Sequence, residues 1–403
     1  MQGFDLSTIS NCYIGGAQAS AIYLGSSKIW PATQHDYSQD PLTFEVLEAG
    51  QFKFKYSSAN TSQLVMYSLD NGTHWTMMSD DTWTATIPAG SKMIFDCYEP
   101  TVDSNHGMGT FSSTGRFNVS GNIGSLLEGY MAGGLDPDNP NSWPSLSNYQ
   151  FEVLFKDCTY LISAEHLYLP TGTIIDGCYN SMFDGCTSLT TAPALPATTL
   201  VFACYYAMFR NCTSLTTAPA LPATTLAHGC YYAMFDHCTS LTTAPALPAT
   251  TLAEGCYGWM FNSCTSLTTA PALPATTLAK NCYNAMFQGC TSLTTAPALS
   301  ATTLVYACYC RMFESCTSLT TAPALPATTL ADMCYNAMFW WCANLNSITC
   351  LATDISAGAC TSGWVESVSA TGTFTKAASM NDWVIDSNNG IPTGWTVVNA
   401  PNT

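Results

Sequence analysis

The sequence predicts a mixed α/β solenoid of 26-residue coils, preceded by an antiparallel β-sandwich and closed by a small C-terminal β cap. The first observation is the motif Cys-Tyr-x-x-Met-Phe-x-x-Cys, which recurs seven times between Cys178 and Cys342. Its first cysteines stand 26 residues apart, a period typical of stacked supersecondary units. The second observation is that alternating apolar and polar runs precede the repeats, and the third is that short strand-like runs follow them.

Composition excludes several functions. The 403 residues carry a net charge of −17 with only 10 lysines and arginines, so no basic stripe exists and nucleic-acid binding is not expected. The 12% aromatic content argues against a disordered chain. No apolar run has the length of a membrane span, so membrane insertion is not expected. The N-terminus shows no basic and apolar regions of a secretory signal, which predicts folding in the cytoplasm if Met1 is the natural start.

The part before the repeats divides into three units. Residues 1–31 are predicted as an N-terminal β-hairpin that serves as an anchoring segment, and residues 32–127 as the antiparallel β-sandwich. The alternating runs that predict its strands are residues 43–47, 51–56, 63–69, 82–87 and 92–97. Residues 128–177 are predicted as a linker and an N-terminal capping repeat, because Phe155 and Cys158 copy the second half of the motif. A calcium loop at Asp136 and Asp138 is not favoured, since the regular carboxylate spacing and closing glutamate are missing.

The remaining units are the solenoid at residues 178–350 and the C-terminal β cap at residues 351–403. Within one repeat, Cys204, Met208 and Cys212 stand at i, i+4 and i+8, which predicts a helix-turn with one face toward the core. The run after it contains Pro219, which a helix interior does not tolerate, so that run predicts a short strand. Copies of the strand are expected to stack as a parallel ladder.

The repeats resemble the leucine-rich repeats of the BspA-like surface proteins. The resemblance rests on Cys-Thr-Ser-Leu-Thr opening the strand, proline ending it and Phe-x-x-Cys following, and it covers roughly residues 150 to 350. The strand domain, Phe-Asn-Val-Ser-Gly-Asn-Ile and the terminal Gly-Ile-Pro-x-Gly-Trp-Thr-Val resemble modules that accompany such repeats in gut anaerobic bacteria and their phages. The resemblance implies a leucine-rich-repeat fold and adhesion or partner binding without catalysis. Thr-Ala-Pro-Ala-Leu-Pro departs from the family's more aliphatic strand.

The 20 cysteines raise the question of metal or redox chemistry. Fourteen of them are in phase with the repeat, and we expect buried free thiols rather than disulfides or ligands. Seven residues separate the two cysteines of a motif, whereas zinc sites favour two to four, so neither a metal nor another cofactor is expected. Asp236-His237-Cys238 imitates a catalytic Cys-His pair, but Cys238 has phase-equivalents without a histidine, which favours a core position. No catalytic motif appears, so the chain is predicted not to be an enzyme.

Variation between the copies is confined to positions 202–203, 206–207 and 210–211 and their equivalents. The bland interpretation is that exposed positions tolerate change. The residue types argue for a binding face, because tyrosine, tryptophan and arginine anchor interfaces and stack on sugars. The residues proposed for this face are Phe202, Tyr206, Arg210, His228, Tyr232, Asp236, Trp259, Lys280, Tyr306, Arg311, Trp340 and Trp341.

Two functions fit these features. The first is a phage virion fibre or decoration protein that adheres to a host-surface glycan or protein through the solenoid and contacts other virion proteins through its N-terminal segment. The alternative is a bacterial cell-surface leucine-rich-repeat adhesin, which requires an export signal. A homo-oligomer is compatible with both, although no coiled-coil heptad argues for one. A hydrolase is disfavoured because no acid pair is evident, and the exposed threonine column is better explained as a solvated strand face than as an ice-binding surface.

Overall fold

The computed structural model describes residues 40–57, 64–98, 107–126, 148–169 and 174–401, together with four short N-terminal strands. These strands are β1 (Tyr13–Ile14), β2 (Ala17–Gln18), β3 (Ile22–Leu24) and β4 (Ser27–Trp30). β1 pairs antiparallel with β2, and β3 with β4. The candidate calcium loop at Asp136 and Asp138 lies outside the described residues.

Two packed sheets precede the repeats. Their strands are β5 (Thr43–Val46), β6 (Phe52–Tyr56), β7 (Leu64–Ser68), β8 (Thr76–Met77), β9 (Lys92–Tyr98), β10 (Gly109–Ser113), β11 (Phe117–Asn122) and β12 (Leu161–Tyr168). One sheet has the order β12-β11-β5-β9-β7-β8, and β6 pairs with β10 in the other. All neighbours are antiparallel except β11 and β12, which run parallel.

Because side chains alternate between the two faces of a pleated strand, phenylalanines from both sheets point into one shared core. The Phe111 ring of the small sheet lies 4.9 Å from the Phe44 ring and 5.1 Å from the Phe95 ring of the large one. The strand expected at residues 82–87 is not formed. That segment instead follows β6 through single hydrogen bonds, such as Thr84 N–H to Phe52 O at 2.9 Å.

The predicted mixed α/β class is wrong. Across the described residues there is no α-helix, and the one helical segment is a single 3-10 turn at Ile123–Leu126. The motif expected to form a helix-turn in each repeat is a run of β-turns. Every second N–H group of the motif donates a hydrogen bond to the carbonyl three residues earlier and so closes a turn, as Tyr206 N–H does to Ala203 O at 3.1 Å.

The other N–H groups of the motif point to the next coil. Ala207 donates to Tyr232 O at 2.8 Å and Phe209 to Met234 O at 2.9 Å. A helix requires each N–H to bond four residues back along its own chain. With half of the donors engaged by the neighbouring coil, that ladder is impossible, which is the physical reason that the leucine-rich-repeat helix-turn is absent here.

Every fourth residue of the motif has left-handed backbone geometry. In one coil these are Ala203, Ala207 and Asn211, with φ of 49°, 50° and 61°. The left-handed geometry is incompatible with a right-handed helix, yet it preserves a spacing of four. Cys204 and Met208 therefore both point inward and are fully buried. Over nine residues, a turn period of four and a helical period of 3.6 select nearly the same side chains.

The remainder of each coil is extended and joins its neighbours through parallel bridges. Thr217, Thr243, Thr269 and Thr295 form a row in which each bridges the next. These contacts stay single bridges and do not extend into strands, because the nearby prolines have no N–H to donate to the next coil. Its C-terminal continuation is the parallel sheet β13 (Ser347–Cys350), β14 (Thr373–Lys376) and β15 (Thr396–Asn399).

Two columns of identical rings form the centre of the solenoid. The tyrosine column runs from Tyr179 to Tyr335 with neighbouring ring centroids 5.8 to 6.1 Å apart. The phenylalanine column runs from Phe183 to Phe339 at 5.4 to 5.9 Å. Both columns end on Trp364, 6.4 Å from the Tyr335 ring and 6.3 Å from the Phe339 ring.

The repeat cysteines are part of this core. The 19 cysteines of the described residues are all buried free thiols. The second cysteine of a motif donates its S–H to a carbonyl of the preceding coil, as Cys290 does to Phe261 O at 3.1 Å and Cys316 to Phe287 O at 3.1 Å. Burial raises the pKa of Cys204 to about 11 and that of Cys290 to about 12. These thiols are protonated packing groups.

We expect the free energy of unfolding to fall at alkaline pH. A cysteine of the unfolded chain titrates near pH 8.5, roughly two to three units below the folded pKa of Cys204 and Cys290. The unfolded state therefore loses protons first, so the stabilisation is complete below about pH 8 and is lost between about pH 9 and 12. Urea denaturation under reducing conditions measures it, and a free energy that stays constant between about pH 7 and 10 contradicts thiol burial.

Phe261→Ala should lower the free energy of unfolding by about 3–5 kcal/mol, because it opens a cavity inside a close-packed column. The neighbouring rings lie 5.7 Å away on both sides. The matched control is Thr268→Ala, an exposed change in the same coil, expected to stay within about 0.5 kcal/mol. Urea denaturation of both variants decides the matter, and a loss below about 1 kcal/mol for Phe261→Ala would contradict the ring column.

Candidate partner-binding face

The variable positions of the repeats lie together on the turn side of the coils. We call this side the variable face and define it by positions 202–203, 206–207 and 210–211 and their equivalents in the other coils. The residues between them, such as Cys204 and Met208, point to the core. Phe202 is 42% exposed, and its counterparts elsewhere on the face include large exposed rings.

At the N-terminal end of the face, neighbouring coils place aromatic residues in pairs. The Tyr206 and Tyr232 rings are stacked with centroids 5.1 Å apart. The Phe202 ring meets the His228 ring edge-on at 5.5 Å. Burial raises the pKa of Tyr232, and the neighbouring Tyr206 raises it further. The result is an aromatic surface that spans two coils.

Two of the predicted binding residues are engaged inside the protein. Arg210 makes a bidentate ion pair with the buried Asp184, Nε to Oδ1 at 3.0 Å and Nη2 to Oδ2 at 2.6 Å. The Asp184 carboxylate in turn raises the pKa of Arg210. Asp236 is 9% exposed and burial raises its pKa, while its Oδ1 lies 2.7 Å from His237 Nδ1. Arg210 and Asp236 therefore serve packing of the coils more directly than contact with a partner.

The suspected Cys-His pair is also resolved by these contacts. His237 Nδ1 faces Asp236, whereas the Cys238 thiol donates to Phe209 O at 3.1 Å in the core. The two side chains thus point in different directions, and Cys238 has the same thiol-to-carbonyl contact as its counterparts in other coils.

At the C-terminal end of the face, a second group surrounds Arg311. Its guanidinium lies 5.9 Å from the Trp340 ring and donates to Glu314 Oε2 at 3.1 Å. The Trp341 ring stands nearly perpendicular to that of Trp340 at 6.2 Å. Trp341 is 58% exposed and Tyr306 44% exposed, so this group presents the largest uncovered rings of the face.

Bulky residues occupy left-handed backbone positions on this face. Trp259, Arg311 and Trp341 have φ of 59°, 57° and 62°. The equivalent positions of other coils carry smaller residues, such as Ala207, or polar ones, such as Asn211. This geometry costs any residue with a β-carbon about 1–2 kcal/mol, so the cost belongs to the turn and is common to all coils that have no glycine there.

Between the two groups the face contains a pocket of about 310 Å³. The residues that line it are His228, Tyr232, Glu254, Gly255, Asn281 and Asn284. Gly255 is one of these lining residues and has no side chain to fill the pocket. Gly258 interrupts the column that Tyr206 and Tyr232 begin, and the Tyr232 ring lies against it, since a β-carbon at Gly258 would come within 2.9 Å of that ring.

Asn284 is oriented by a neighbour outside the pocket. The Trp259 indole N–H donates to Asn284 Oδ1 at 3.1 Å, which leaves the amide nitrogen of Asn284 as its donor group. The sequence singled out Trp259 and the exposed Lys280, which precedes Asn281, but neither Gly255 nor Asn281 as a binding residue. Gly255 and Asn281 occupy the position of Ala203 in their coils, and both have left-handed backbone geometry, with φ of 60° and 56°. We call this row of equivalent positions the left-handed column.

The part of the chain that the structure describes has no cluster of three or more histidine, cysteine, aspartate or glutamate side chains placed to hold a metal ion. No helix within it has the length and apolar character needed to cross a membrane.

No family model matches the chain, and neither curated proteins nor solved structures show significant similarity to it. The resemblance to BspA-like proteins therefore stays a prediction.

Trp341→Gly should raise the free energy of unfolding by up to about 1 kcal/mol, because glycine removes the left-handed strain but loses more chain entropy. Trp364→Ala is the contrasting variant: its ring is fully buried at the end of both columns, and its loss should cost about 3–5 kcal/mol. Urea denaturation compares them. Destabilisation by more than about 1 kcal/mol in Trp341→Gly would show that this tryptophan stabilises the fold.

Proposed function

We propose that this chain is a non-enzymatic binding protein that attaches to surface glycans or proteins through its variable face. The observation that carries the proposal is the division within each repeat. The copied residues form the ring columns and thiol contacts of the core, whereas the changing residues gather on one face. Side chains that varied only because they were solvated would include more lysine and glutamate than this face does.

The chemistry of the face supports the same proposal. Tyrosine, tryptophan and arginine dominate the residues that anchor interfaces, because they offer large rigid contact areas with a polar group at the end. Here Phe202, Tyr306 and Trp341 leave about half of their surface uncovered, at 42%, 44% and 58%.

For the setting of this attachment we propose a phage virion, in which the chain is a fibre or decoration protein and its N-terminal segment contacts other virion proteins. The buried free thiols support this setting, because they indicate folding in a compartment that keeps cysteines reduced. The bacterial cytoplasm, where virion proteins fold, is such a compartment. The alternative setting is the surface of a bacterium, as the resemblance to BspA-like adhesins implies. An antibody against the chain separates the two: labelling of purified virions supports the first, and labelling of intact virion-free cells overturns it.

The triple variant Phe202→Ala, Tyr306→Ala and Trp341→Ala should weaken attachment to target cells at least tenfold, an effect of about 1.4 kcal/mol or more. Attachment of the purified chain to a panel of intact gut anaerobic bacteria measures it. The matched control changes three exposed threonines of the strand face, Thr216, Thr242 and Thr268, to alanine. We expect wild-type attachment for the control, and attachment of the aromatic variant equal to the control would refute the variable face as the binding surface.

A further inference from the structure

We propose that the pocket between Tyr232 and Asn284 binds one neutral pyranose residue of a surface glycan. This inference rests on the proposed function and gives its ligand a chemical class. The pocket lies in the middle of the variable face, between the tyrosine pair and the group around Arg311.

The size of the pocket is the first argument. Its volume of about 310 Å³ is at the lower end of the range for small-molecule sites, which run from about 300 to 1,000 Å³. A single six-membered sugar ring with its hydroxyls fits such a space, whereas a drug-sized ligand needs more. Gly255, one of the lining residues, places no side chain in this space.

The mixture of polar groups is the second argument. The Glu254 carboxylate accepts hydrogen bonds only, and the Asn284 amide nitrogen donates because its oxygen already accepts the Trp259 N–H. Asn281 offers both a donor and an acceptor, and the His228 ring adds a further nitrogen. Neighbouring hydroxyls of a sugar each donate and accept, so they match a wall that offers both donors and acceptors.

The aromatic ring is the third argument. Tyr232 lines the pocket with a ring that is already stacked on Tyr206 at 5.1 Å, so its orientation is fixed before a ligand arrives. One side of a pyranose consists of C–H groups and packs on such rings, while its hydroxyls point to the rim. The one carboxylate of the wall, Glu254, repels anionic sugars and phosphates, which restricts the ligand to neutral residues.

The test is saturation-transfer NMR on the full chain with five probes: the methyl glycosides of glucose, galactose, mannose, rhamnose and N-acetylglucosamine. We expect at least one to bind with a dissociation constant on the order of 1 mM, as a single small ligand should. Tyr232→Ala and Glu254→Gln should each weaken that binding at least tenfold. Trp259→Phe retains an aromatic ring but removes the N–H that orients Asn284, so it should weaken glycoside binding about threefold, about 0.6 kcal/mol.

The control is Glu366→Gln, which removes an exposed carboxylate from a coil outside the pocket and should leave binding unchanged. Thermal unfolding of each variant shows that it is folded. The inference is overturned if the wild type binds none of the five glycosides. It is also overturned if Tyr232→Ala and Glu254→Gln bind a glycoside as tightly as the wild type does. A sixth probe, Nα-acetyl-lysine amide, tests the opposite charge: if it binds and no glycoside does, the inference is overturned, because the site then takes a cationic side chain.

These results are read separately from the test of the proposed function, since the aromatic triple variant leaves every lining residue of the pocket unchanged. Because the Phe202 ring contacts the lining ring of His228, glycoside binding by the triple variant is measured as well. A wild type that binds no glycoside while the triple variant loses attachment defeats the saccharide inference alone. A wild type that binds a glycoside through Tyr232 and Glu254 while the triple variant attaches normally defeats the aromatic attachment surface alone.

Discussion

The hydrogen bonds that pass from coil to coil determine the rest of this structure. In each motif, half of the N–H groups close turns within the coil and half donate to the next one, as Ala207 does to Tyr232 O at 2.8 Å. Left-handed geometry at every fourth residue makes this division possible. Because the coils are then stacked in register, each side chain lies over its counterpart. Identical tyrosines and phenylalanines become continuous columns with ring centroids 5.4 to 6.1 Å apart.

The same registry explains how one core can present a changing surface. Inward positions must repeat, because a ring that differed from its neighbours would break a close-packed column. Outward positions are free to differ, and a change in one coil alters its neighbours: because residue 258 is glycine, the Tyr232 ring of the preceding coil lies only 2.9 Å from where a β-carbon would be. The ion pair of Arg210 with Asp184 crosses from one coil to the previous one, so part of the variation supports packing. Recognition and stability are thus divided between residues only a few positions apart.

The sequence specified which residues face inward better than it specified the backbone that carries them. The spacing of Cys204, Met208 and Cys212 fits a helix and a four-residue turn equally well over so short a run. The distinguishing signal was weak but present, since the left-handed column carries glycine at 177, 229 and 255, residues that a helix disfavours. The strand expected at 82–87 failed because its alternation did not reflect burial: Trp83 and Ala85 are exposed, and only Ile87 is buried. The pocket needed knowledge of pairs, such as Trp259 with Asn284, that lie 25 residues apart.

The stacking of the coils through backbone hydrogen bonds is measured most directly by the scalar coupling across such a bond, recorded by NMR on the deuterated, isotope-labelled chain. We expect coupling from the amide nitrogen of Ala207 to the carbonyl carbon of Tyr232 in the next coil. The helix that the sequence pattern favoured would couple Ala207 to the carbonyl carbon of Ala203, four residues back. Observation of that second coupling in place of the first would contradict the stacked-turn solenoid, and with it the register that aligns the variable face.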